Sequence, residues 1–325
     1  MALRMMWAAA LLAGLALAPA NAAAVEAQAI VEEGLADLAP PRLAPGGWTA
    51  TGRDAVLGGL CAPREGAVLR VALTTRPPSR WQRDACIANA AAALADRVVG
   101  RRVLLAFGGK SAPALTAVLL YRALAARVPD ETGEIGPNRA GRWHDLDPSL
   151  PDAPIRVLVP PDGTPEARIL AQVLLFQGCL AAAGERLPRL APARLALCTE
   201  LRGDGVESGA VVVRAMPGQA AAAWLHGAGS AAVALVGLAT VAAEPELETP
   251  LPLDGVAPGF ASIGDGSYRP TLPVHLLLVQ AEVPDEAEAV FRVLTGESVI
   301  GPSGSLVRRG LAALPAAERV RLRAE

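Results

Sequence analysis

Aromatic residues are scarce in this chain: five Trp, two Tyr and four Phe in 325 residues, 3% of the whole. Lysine is scarcer, with Lys110 alone, and the other basic side chains are arginine, a compositional bias rather than a chemical signal. No stretch interleaves basic and aromatic residues, which argues against a nucleic-acid surface. The three histidines, His144, His226 and His275, are isolated and outside any zinc or nucleophile motif. No G-x-S-x-G elbow occurs; Gly301-Pro302-Ser303-Gly304-Ser305 is the nearest approach. Asp204 and Glu207 read as a solvated loop pair rather than an acid/base dyad. These absences leave no catalytic residue, no metal ligand set and no cofactor motif to nominate, so the expectation is a protein that is not an enzyme.

Long apolar runs are missing as well. Beyond the amino terminus no segment reaches about 18 uninterrupted apolar residues, so a soluble mature protein is expected. The amino terminus itself has a basic residue (Arg4), an apolar stretch from Met5 to Ala18 and small residues at Ala20-Asn21-Ala22. That is the pattern of a secretory signal peptide over residues 1–22, cut after Ala22, and it implies export. No cysteine stands at the cut, which disfavours a lipoprotein. Charge is nearly balanced, 30 Lys and Arg against 32 Asp and Glu. About 300 residues are left for the mature chain, enough for two ordinary domains.

What is present starts with four cysteines, Cys61, Cys86, Cys179 and Cys198. In an exported chain an even count favours disulfides over zinc, and no C-x-x-C spacing supports the latter. Three pairings are possible. The order suggests two local loops, Cys61–Cys86 and Cys179–Cys198, each contributing roughly 3 kcal/mol by restricting the unfolded chain.

Strand-like and helix-like segments alternate along the chain. Helices are expected over 25–38, 82–94, 114–126, 165–182, 192–201, 218–226 and 285–295. Strands are expected over 67–73, 102–107, 155–159, 211–214, 231–238 and 275–279, with turn-rich loops at 39–47, 129–154 and 247–270. The alternation predicts an α/β fold with a largely parallel sheet. Within it, Ile155–Leu170 stands out. A strand runs into Pro160-Pro161-Asp162-Gly163-Thr164 and then a helix, with Thr164 a good N-cap and Pro165 suited to the first helical position. A strand, a tight turn and a helix start can offer free backbone N–H groups to an anion.

Several segments, in order, resemble the periplasmic phosphate-binding proteins of ABC transporters. Asn138–Thr164 is similar to that family's run through W-x-x-I-D-P-x-L-P to an S-G-T loop, and Leu197–Gly205 to its C-x-x-I-R-x-D-G segment. Thr51–Cys61 and Asp84–Ala90 resemble its two early cysteine segments, Asp254–Val279 its return strand and Gly301–Glu325 its tail. The resemblance implies a two-lobe, type II-like binding-protein fold. Lobe one would comprise residues 23–108 and 237–325, and lobe two residues 109–236. A small anion such as phosphate would sit in the cleft between the lobes, and an inner-membrane ABC permease would be the partner of a periplasmic monomer.

Residue by residue, the family's S-G-T-R-D becomes Asp162-Gly163-Thr164-Pro165-Glu166, its N-A-S-R becomes Ala72-Leu73-Thr74-Thr75 with Arg76 one place late, and its T-G-T-G becomes Thr51-Gly52-Arg53-Asp54. Its R-P-L-Y becomes Leu272-Pro273-Val274-His275. The family's opening strand and turn find no counterpart. Gly163, Thr164, Thr74, Arg53 and Asp162 are therefore the expected ligand-binding residues. Asp162 puts a carboxylate where a donor is wanted, and each charge-assisted hydrogen bond lost is worth about 1.5–3 kcal/mol. The competing expectation is a ligand-free envelope module for interaction or regulation on the same fold.

Overall fold

Strand β4 (Ala93–Gly108), sixteen residues long, is shared by two halves of one eight-stranded sheet in the computed structural model. Up to Val103 it runs antiparallel to β10 (Thr271–Gln280), and from Leu104 to Gly108 antiparallel to β9 (Val233–Gly237). On the first side the order continues through β3 (Val68–Thr74) and β1 (Glu26–Glu32) to β2 (Trp48–Thr51). On the second it continues through β7 (Arg156–Val159) to β8 (Val211–Arg214). The structure describes residues 26–39, 47–62, 68–90, 93–203, 209–216, 219–280 and 284–324. The expected signal peptide and the pair Asp204 and Glu207 lie outside them.

The expectation of a largely parallel sheet needs correction. β1 is parallel to β2 and β3, and β7 to β8 and β9, but β10 is antiparallel to both its neighbours and β4 is antiparallel to β9. Each half is thus a parallel α/β unit, and the two crossing strands bring in the antiparallel pairs.

The expected helix at 25–38 is a second correction. Glu26–Glu32 is a strand, followed by a 3-10 turn at Glu33–Leu38. Ala29 and Val31 face one core cluster and Ile30 another, so the segment is buried on both faces and burial outweighs its helix-like spacing. The opening strand that had no counterpart in the sequence is therefore present. The helix expected to reach residue 94 ends earlier, as α2 (Arg80–Ala90), and Leu94 belongs to β4. The loop expected at 129–154 holds a hairpin of Arg127–Pro129 with Ile135–Pro137 and a helical turn at Trp143–Leu146. Trp143 is buried there, its Nε1 donating to the Ala231 carbonyl at 3.0 Å.

Both expected disulfides are formed. Cys61–Cys86 ties the end of helix α1 (Val56–Leu60) to α2, and Cys179–Cys198 joins the helices Phe176–Ala183 and Ala191–Thr199. The continuous helical run Pro165–Arg186 is long and apolar enough to cross a bilayer. Here it packs Leu170, Leu174, Leu175, Cys179 and Ala183 into the core shared with helix α3 (Ala117–Leu124).

Candidate functional site

In parallel α/β units ligands sit beyond the carboxyl ends of the strands. β1 and β3 end side by side, Val31 opposite Leu73, and so bring Glu32 next to Thr74 and Thr75. β7 ends at Val159, and the chain turns through Pro160–Thr164 into helix α5 (Pro165–Ile169). These ends meet at a cavity of about 780 Å³ lined from the first half by Glu33, Gly34, Asp37 and Arg102 and from the second by Thr164, Glu166 and Gly237. The approach is close: a Cβ on Gly34 would lie 3.0 Å from Pro165 Cδ and 3.1 Å from the Gly163 carbonyl oxygen.

Beside this cavity Glu32 is 1% exposed and its carboxylate collects donors from both halves. Oε2 accepts the Thr75 backbone N–H at 2.7 Å and the Thr74 hydroxyl at 3.0 Å. The Thr75 hydroxyl lies 3.0 Å from each carboxylate oxygen. From α5, the Arg168 guanidinium reaches Oε1 at 2.6 Å and also bonds the Thr75 hydroxyl. Charge-assisted bonds of this kind are the strong ones, and this set is almost wholly desolvated.

The cavity wall itself is acidic. Arg102, 3% exposed on β4, is held by the Asp37 carboxylate and faces Glu166 Oε1 at 3.8 Å. Burial pushes the Glu166 carboxyl above its ordinary value, only partly offset by the Arg102 charge. Glu244 lines the same wall and accepts the N–H groups of Ala221 at 3.1 Å and Ala222 at 2.8 Å, capping the helix Ala221–Ala228.

The residues singled out in the sequence are only partly brought together. Thr74 lies in the Glu32 cluster, its oxygen also accepting the Arg76 N–H at 3.1 Å. Thr164 lines the cavity but spends its hydroxyl locally, accepting from the Ala167 N–H at 3.1 Å and donating to the Pro161 carbonyl at 2.7 Å. Gly163 holds the turn with φ of 80°. Asp162 pairs with Arg214 at 2.8 Å, and 75% of its side chain is exposed. Arg53 sits in the turn before α1 and is not among the cavity-lining residues, while its neighbour Asp54 pairs with Arg76. His275 is elsewhere, its Nδ1 2.7 Å from Asp96, which Arg83 also contacts at 2.9 Å. Burial would raise the Asp96 carboxyl, but the His275 and Arg83 contacts outweigh it and hold it below the usual range.

Sequence reasoning missed Glu32 and Arg168. The arginine that is absent at Pro165 is replaced by one on the next turn of the same helix, three residues on. That spacing was available as a signal; the fit of Glu32 was not, because it needs the position of β1.

No family model matches the chain, and no curated protein matches it by sequence. Solved structures do match. A possible phosphate-binding protein from Planctomyces limnophilus has a TM-score of 0.58 at 14% identity, covering 92% of this chain and 97% of its own. An ABC-type phosphate transport receptor from Vibrio cholerae has a TM-score of 0.56 at 14% identity, covering 89% and 100%. PstS from Borrelia burgdorferi has 0.55 at 11% identity, covering 90% and 100%. The fold is that of the two-lobe phosphate-binding proteins. The resemblance read from the motifs holds at the level of architecture, with a sequence that has diverged far from these neighbours.

Proposed function

We propose that this chain is an exported, monomeric solute-binding protein of a phosphate-type ABC transporter, taking phosphate or another small anion in the interlobe cleft without catalysis. In this reading residues 23–108 with 237–325 form lobe one and residues 109–236 lobe two, and an inner-membrane permease is the partner. The observation that carries it is the convergence of the Thr74 and Thr75 hydroxyls, the Thr75 N–H and the Arg168 guanidinium, drawn from both halves, on one anionic group. A set of donors that includes a backbone N–H and a guanidinium is built for an oxyanion. The structural neighbours support the general kind.

The test is thermal unfolding of the mature protein in millimolar phosphate, sulfate, arsenate and organic phosphates against chloride of equal ionic strength. A rise in melting temperature with at least one oxyanion is expected; no response to any of them sinks the reading. A second reading, a ligand-free envelope module, is favoured by the fact that the anionic group holding those donors is the chain's own Glu32. It predicts an unresponsive natural protein.

A further inference from the structure

We propose that Glu32 is an intramolecular ligand: its carboxylate fills an oxyanion subsite made by Thr74, Thr75 and Arg168, and a free oxyanion gains that subsite only when the carboxylate leaves. The inference rests on the reading of the cleft as an anion site. It goes beyond that reading in naming what controls occupancy.

The four donors come from β3, the turn after it and α5, and every one points at the same carboxylate. Glu32 and Arg168 together are neutral, so a phosphate added beside them would place at least one uncompensated negative charge in a site from which water is largely excluded. Replacement of the carboxylate by a singly charged oxyanion leaves the charge balance intact and uses the same four donors. Room for the exchange adjoins the site. Glu33 and Gly34, the next residues of the chain, line the 780 Å³ cavity, so the backbone carrying Glu32 borders open space. A carboxylate tethered this closely competes at high effective concentration, which keeps the natural chain weak for free anion.

The same contact joins the halves, because Glu32 is on β1 and Arg168 on α5. It is thus a latch closed by an internal anion, at a place where Gly34 leaves so little room that a Cβ on it would lie 3.0 Å from Pro165 Cδ.

The experiment measures calorimetric affinity for inorganic phosphate, and melting temperature in phosphate, acetate or chloride, for the natural chain, Glu32→Ala, Glu32→Gln and Glu32→Ala/Arg168→Ala. Glu32→Ala should bind phosphate roughly tenfold tighter or more than the natural chain. Its melting temperature should be raised by phosphate and by acetate but not by chloride, and the double variant should lose the gain. If Glu32→Ala does not fold in chloride, recovery of its transition in phosphate or acetate gives the same support. Equal phosphate affinity of the natural chain and Glu32→Ala overturns the inference and leaves the proposed function standing. Tight binding by Glu32→Ala with none by the natural chain supports the inference and removes that function from the natural protein. If neither alanine variant nor Glu32→Gln responds to phosphate, the inference is overturned.

Discussion

The end of β1 and the loop after β7 meet at the cavity, and each carries an acidic residue, Glu32 and Asp162. Glu32 is buried, ligated through both oxygens and linked to the opposite half, whereas Asp162 is exposed and tied to Arg214 beside it. Opposite signs of expectation attach to the two positions. Asp162, which reads in the sequence as a repulsive charge at the ligand, is exposed and paired with Arg214. Glu32, which draws no attention in the sequence, is the acid that sits among the donors. What an acidic residue does near a binding site depends on whether it faces donors or water, and one-dimensional position does not say which.

The sharpest way to break this contrast is Glu32→Ala measured by chemical denaturation. Removing one partner of a buried ion pair should cost about 3–5 kcal/mol. Next in size, Gly34→Ala forces a methyl against Pro165 and the Gly163 carbonyl and should cost about 1–3 kcal/mol, with a looser cleft visible as faster limited proteolysis. Thr164→Ala removes an N-cap and should cost about 1 kcal/mol with little change in any phosphate response, since its hydroxyl is spent on its own helix. Asp162→Ala breaks an exposed pair and should cost roughly 0–1 kcal/mol. A loss there as large as that for Glu32 would collapse the comparison.

Glu166→Gln has the opposite sign. Burial raises the Glu166 carboxyl in the folded state, so its contribution to stability is present in acid and lost as pH rises through the folded value. The amide variant should therefore be more stable than the natural chain near neutral pH. Denaturation midpoints taken against pH should converge below about 4.5, the ordinary value of the group.

Much of the architecture was legible in the sequence. The strand–turn–helix at 155–170, both disulfides and the α/β alternation depend on local signals: an apolar run, a Thr-Pro helix start, short cysteine loops. β1 was not legible, because Val25–Leu38 has helical spacing and becomes a strand only when β2 and β3 are available on either side of it. With β1 misassigned, Glu32 could not be put at a strand end, and the meeting of Glu32, Thr75 and Arg168 across more than a hundred residues of chain stayed out of reach. Arg53, an expected ligand contact from the resemblance, lies in the turn before α1 and is not among the residues lining the cavity.

The sheet order β3-β10-β4 has a consequence for how the molecule is made. β7, β8 and β9 are all synthesised by residue 237 and can pair with the end of β4 as soon as they emerge. The amino-terminal strands wait much longer, since the gap between β3 and β4 is filled only by residues 271–280. Until then two strand edges stand uncovered, the condition in which nascent chains are most prone to pair wrongly. The strand delivered nearly last closes the sheet, and the donors at the end of β3 are among the last groups of the molecule to be secured.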